Sequence, residues 1–92
     1  MINIKIPKQN ASDDEVIISD IFFKSGEYVN KDTIIFEYET SKASFDFETV
    51  NSGFLYYNFS VGDSVQVQTD VAYLSDSELT LDEIKKIFPV SN

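Results

Sequence analysis

Ile2, Ile4 and Ile6 alternate with Asn3 and Lys5, and Pro7 ends the run. A period of two closed by proline predicts a β-strand. Lys8 to Glu15 is polar, ends in Asp13-Asp14-Glu15 and reads as an exposed loop. Val16-Ile17-Ile18 and Ile21-Phe22-Phe23 form a longer apolar segment rich in strand formers. Ser25-Gly26-Glu27 is a turn signal. Thr33 to Glu39 and Ser44 to Glu48 read as strands on either side of Thr40-Ser41-Lys42-Ala43. Within the second, Phe45 and Phe47 alternate with Asp46 and Glu48, which predicts core positions for the aromatics. Phe54 to Phe59, opened by Gly53, is another strand candidate. Gly62-Asp63 marks a second turn, and Val71 to Leu74 a final strand.

The period then changes. Thr80 is placed to cap a helix, and Glu83 completes a capping box. Leu79 and Ile84 occupy hydrophobic-staple positions. Leu81, Ile84 and Phe88 share one face, and Pro89 stops the run. A helix from Leu81 to Phe88 is too short to hold unaided in water. It must dock on the body of the domain, on a neighbouring chain or on a further domain.

The halves of the chain resemble each other. A shift of 36 residues lays Phe23 to Tyr38 over Phe59 to Leu74. Phe23 then meets Phe59, Gly26 meets Gly62, Val29 meets Val65 and Thr33 meets Thr69. Glu27 meets Asp63, and Ile35 meets Val71. Strand-turn-strand recurrence is common in small β proteins, but the shared order points to a repeated unit. Two copies of a four-strand unit predict an all-β fold: a flattened eight-stranded sandwich with pseudo-twofold symmetry and a short C-terminal helix.

Composition narrows the chemistry. The 92 residues suit one small domain, and the apolar content of 42% suffices for a core. Sixteen acids against seven lysines, with no arginine, give a net charge of −9. That leaves nucleic acid and anionic membrane surfaces without electrostatic support, and favours basic partner surfaces. Without cysteine or histidine the chain has no disulfide, thiol catalysis, Cys/His zinc site or Ser-His-Asp chemistry. The missing cysteines agree with a reducing, cytoplasmic setting. No apolar run approaches the roughly 20 residues of a membrane span.

One residue then stands apart. Lys42 lies midway between the similar halves, at the expected tip of a hairpin. A single amine held clear of the body is a handle for a covalently attached prosthetic group. The other lysines have ordinary readings. Lys5, Lys8, Lys24 and Lys31 are solvating charges, and Lys85 and Lys86 suit a helix C-terminus.

Ile6-Pro7, the Gly26-Glu27 turn, Glu39-Thr40-Ser41-Lys42-Ala43 and Gly53 together resemble the lipoyl domains. These are the carrier domains of 2-oxo acid dehydrogenase acyltransferase components, related to the glycine-cleavage carrier protein and the biotinyl domains. The resemblance spans residues 2 to 76, with the family's glycines 16 residues before the lysine and 11 after it, here Gly26 and Gly53. It implies a flattened barrel of two four-stranded sheets. It implies lipoate joined to Lys42 by an amide, with Ser41 and Ala43 framing the site and Gly26 and Gly53 holding adjacent turns. Its partners would be a lipoate ligase or lipoyltransferase and the enzymes of a multienzyme complex, between which the arm carries acyl groups and electrons. In that reading the domain is a monomeric carrier and not itself an enzyme. Residues 77–92 form a tail that could link to a further domain.

The chain departs from the family at named positions. Ser41 stands where the family usually has Asp, although the glycine-cleavage carriers also lack Asp there. Biotinyl domains have Met on both sides of their lysine, so biotin is the lesser alternative cofactor. An unmodified interaction module of a larger acyltransferase-type enzyme is the other alternative. Phosphopantetheine carriers share the acidity but are helical bundles. Asp32 and Gln68 replace frequent glycines, so those turns are expected to differ from the family's usual geometry. Glu39, Asp46, Glu48 and the Asp13-Asp14-Glu15 loop read as solvated charges or as guides for a partner.

Overall fold

The computed structural model describes residues 1–89, so the last positions of the tail expected over 77–92 lie outside the described residues. The chain runs through β1 (Ile2–Lys5), β2 (Glu15–Ile21), β3 (Tyr28–Val29), β4 (Thr33–Glu39) and β5 (Ser44–Thr49). It continues through β6 (Gly53–Tyr57), β7 (Ser64–Gln66), β8 (Asp70–Ser75) and α1 (Leu81–Ile87). Two four-stranded antiparallel sheets result, in the orders β1-β8-β6-β3 and β5-β4-β2-β7. Exchanging β1 with β5, β2 with β6, β3 with β7 and β4 with β8 turns one order into the other. The expected pseudo-twofold is therefore present. The described residues extend 38 × 36 × 19 Å and form a flattened sandwich, not a closed barrel, since no strand pairs across the two sheets.

The core lies between the sheets. Ile4, Val16, Ile18, Val29, Phe36, Tyr38, Leu55, Phe59 and Leu74 are all buried there. Phe36 is central. Its ring stacks on Phe47 at 4.8 Å and meets Phe59, from the other half of the chain, edge-on at 5.4 Å. Burying such a ring contributes roughly 2–3 kcal/mol. Phe45 stacks on Tyr38 at 5.6 Å, so both β5 aromatics pack inward as their alternation predicts.

The alternation breaks at three bulges. The β4–β5 register shifts around Ile35, and the β1–β8 register shifts around Val71, its repeat mate. Each bulge lets two consecutive residues face inward, Ile35 with Phe36 and Val71 with Ala72. The third bulge, at Ser19 in β2, has no mate. It separates the apolar triplets Val16-Ile17-Ile18 and Ile21-Phe22-Phe23 and restores the inward direction at Ile21. Before it, Ile18 corresponds to Leu55; after it, Asp20 corresponds to Tyr56, one residue closer in spacing. The strand ends at Ile21, which leaves Phe22 half exposed.

The repeated residues make repeated turns. Gly26 and Gly62 have φ of 100° and 95°. The Glu27 carboxylate accepts the Lys24 N–H at 2.7 Å, and the Asp63 carboxylate accepts the Ser60 N–H at 2.8 Å. That explains why an acid follows each glycine. Asp32 and Gln68 both adopt left-handed backbone, with φ of 62° and 61°. Their N–H groups donate to Thr49 and Ile6 carbonyls at 2.6 and 2.9 Å. Both positions hold the left-handed backbone that glycine adopts most readily.

The tail docks on the outer face of the first sheet. Tyr56 points away from the core, opposite Tyr73, yet is 2% exposed because the tail covers it. Its hydroxyl oxygen accepts the Leu79 N–H at 2.8 Å. Phe88 meets Tyr73 edge-on at 5.5 Å. The Thr80–Glu83 capping box is complete, with bonds of 3.0 and 3.2 Å. The helix stops at Ile87 and Phe88 caps it. Leu79 and Ile84 both border the recess over Tyr56. Leu81 does not join the docked face; it is 68% exposed.

Gly53→Ala places a Cβ 2.8 Å from the Ser75 carbonyl oxygen, backbone that cannot swing aside. Urea unfolding should show a loss of about 3 kcal/mol for that variant. Gly26→Ala meets open space and should lose only the left-handed strain, about 1–2 kcal/mol. In the capping box, the Thr80 N–H first and its hydroxyl second hold the Glu83 carboxyl below its ordinary 4.5. Ionised Glu83 therefore supports the helix above pH 4.5, and the support is lost as pH falls through the lowered value. The Thr80 amide NMR shift should titrate with a midpoint under 4.5 and should stop titrating in Glu83→Gln.

Candidate functional site

Lys42 sits where β4 turns into β5. The last paired rung is Glu39 opposite Ser44, which leaves Thr40, Ser41, Lys42 and Ala43 as the connection. Thr40 organises it. Its N–H donates to the Ala43 carbonyl at 2.8 Å. Its hydroxyl oxygen accepts the Lys42 N–H at 3.2 Å and the Ala43 N–H at 3.1 Å. A threonine hydroxyl thus takes the place of the carbonyl that would close an ordinary turn. The signal was in the sequence, a threonine beginning a four-residue connection, but the expected site omitted it.

Ser41, Lys42 and Ala43 are all exposed at this tip. Lys42 joins no ion pair among the described residues; the pairs there are Lys5–Asp70 at 3.0 Å and Lys8–Asp14 at 2.8 Å. Two small neighbours leave the lysine stem open to approach. The Ser41 hydroxyl donates toward both carboxylate oxygens of Asp13 at 3.0 and 3.1 Å. The β1–β2 loop therefore flanks the tip. It is fastened to the body by Gln9, whose amide donates to the Tyr38 hydroxyl at 3.1 Å. Beside it the Lys8 ammonium, by hydrogen bond and then by charge, holds the Asp14 carboxyl below its usual range.

The two glycines of the expected site lie elsewhere. Gly26 belongs to the β2–β3 turn and its N–H donates to Leu55. Gly53 opens β6, opposite Val29 and against Ser75. Both serve the sheet that does not contain the hairpin. They shape the scaffold, and neither adjoins Lys42.

The outer face of the hairpin's own sheet is acidic. Asp20 lies directly opposite Glu37, and Glu37 directly opposite Asp46. The Ser19 bulge is what turns Asp20 outward, and the Ser19 hydroxyl donates to Glu37 at 3.0 Å. Glu39 and Glu48 extend the acidic face along β4 and β5. Among the described residues no cluster of acids is placed to hold a metal ion, and no helix is long and apolar enough to cross a membrane. Like charges directly opposite in a sheet repel. Asp46→Lys, which sets a cation opposite Glu37, should raise stability by about 0.5–1 kcal/mol. The gain should shrink in high salt, as chemical denaturation at two ionic strengths would reveal.

Compared with known proteins, the chain matches no family profile and no curated protein at significant similarity.

Proposed function

We propose that this protein is a lipoyl carrier. In this reading Lys42 holds lipoate through an amide and shuttles acyl groups and electrons between active sites of a multienzyme complex, in a cytoplasmic setting. The observation that carries the reading is the exposed amine of Lys42 on a hydroxyl-capped hairpin between two pseudo-symmetric halves. The neighbouring residues fit the group. Ser41 and Ala43 are small, no ion pair among the described residues has to be broken, and the hairpin projects from a sheet with a packed inner face.

Bound lipoate would supply a dithiolane that accepts electrons and an acyl group. The chain's own residues present and orient. Amide formation consumes the lysine nucleophile and removes its charge, so the tip becomes more acidic once loaded. Thr40 keeps the backbone of Lys42 and Ala43 in one turn, so the ligase meets a fixed peptide shape. Tethering then raises the effective concentration of the arm at each active site. The net charge of −9 favours ligase and partner enzymes with basic docking surfaces. The domain itself carries and does not catalyse.

Co-expression with a lipoate ligase should add one lipoyl group, seen as a single mass increment by intact mass spectrometry. Lys42→Ala should abolish it while leaving the fold intact. An increment that persists in Lys42→Ala would refute the assignment, and streptavidin reactivity would point to biotin instead.

A further inference from the structure

We propose that Asp13 is a positioning residue for Lys42, fixing the direction in which the lysine leaves the hairpin by holding Ser41. The inference rests on the carrier reading of Lys42. The bonds from Thr40 set the shape of the turn, but they lie within the turn itself. They cannot fix its tilt relative to the sandwich. Beyond the Glu39–Ser44 rung, the Ser41 hydroxyl supplies a bond to another part of the chain. One hydroxyl proton faces two carboxylate oxygens at nearly equal distance, 3.0 and 3.1 Å. Either oxygen can take it, and a charged acceptor makes the bond strong for its kind.

Asp13 is itself braced. The Asn10 side chain donates to its second oxygen at 2.7 Å, and the Asp13 N–H donates to the Asn10 carbonyl at 3.2 Å. Farther along the loop, the Val67 N–H donates to the Asp14 carbonyl at 3.0 Å. Gln9 reaches the hydroxyl of Tyr38, a residue 2% exposed in β4, the strand that leads to the tip. Body, loop and tip thus form a closed circuit of hydrogen bonds. Its weakest span is Ser41 to Asp13, an exposed bond, whereas the Gln9–Tyr38 and Asn10–Asp13 bonds are partly buried. A ligase that must align one amine with an activated carboxyl gains from a tip already aimed.

The test measures lipoate-ligase kcat/KM on the protein, with nitrogen-15 relaxation at Lys42 and Ala43 beside it. Asp13→Ala and Ser41→Ala should each lower kcat/KM by about fivefold. The double variant should lose no more than either single one, because both break the same span. Asp13→Asn keeps an acceptor oxygen and should retain most of the activity. Tm should stay near wild type throughout, while order parameters at Lys42 and Ala43 fall in both alanine variants. Multiplying losses in the double variant, or Asp13→Asn as impaired as Asp13→Ala, would overturn the positioning role. Order parameters unchanged by Ser41→Ala would overturn the clasp itself. A wild-type protein that accepts no lipoate would instead overturn the carrier reading, and with it the role assigned to Asp13.

Discussion

Neither four-stranded sheet can exist alone, because each has an apolar face that only the other can cover. Phe36 and Phe59 make that dependence concrete. They come from different halves of the chain, and their edge-on contact at 5.4 Å joins β4 to the connection that leaves β6. Everything at the hairpin is built outward from this interface. Phe47 stacks on Phe36 and Phe45 on Tyr38, so β5 is clamped to β4 along their shared length. A well-packed interior resists small displacements. The clamp ends one rung short of the connection, at Tyr38 and Phe45, and the last paired rung is Glu39 with Ser44.

Much of the fold was legible because its strands are long enough to show a period. Ile2, Ile4 and Ile6, and then Phe45 and Phe47, alternate cleanly. β3 and β7 did not stand out as strands, since two and three residues carry no periodic signal. Bulges hid the pattern elsewhere. Ile34-Ile35-Phe36 reads as a continuous apolar run, yet Ile34 faces solvent and the next two face the core. Tyr56 and Tyr57 look alike in sequence. Only the docked tail explains why Tyr56, on the outward face, is the more deeply buried of the two.

The candidate site divides in the same way. Lys42 could be found because a lone lysine between two strands and two halves is a local pattern. Thr40 was within reach of turn chemistry. The Ser41–Asp13 contact was not, because 28 residues separate the partners and no periodicity links a loop to a distant turn. Gly26 and Gly53 show the opposite error. Their spacing from Lys42 does not bring them near it: Gly26 makes a turn that Gly62 repeats, and Gly53 is the first residue of β6, pressed against Ser75 in the other sheet.

The pseudo-twofold has a topological consequence. Ile2 pairs with Leu74 as Phe45 pairs with Tyr38. One half joins this pair of strands through Lys42, whereas in the other β1 lies beside β8 by backbone pairing, and β8 runs on into the docked tail. The same adjacency thus occurs once with a covalent connection and once without. Strand order is set by the pairing, and residues 40–43 have only to complete a turn.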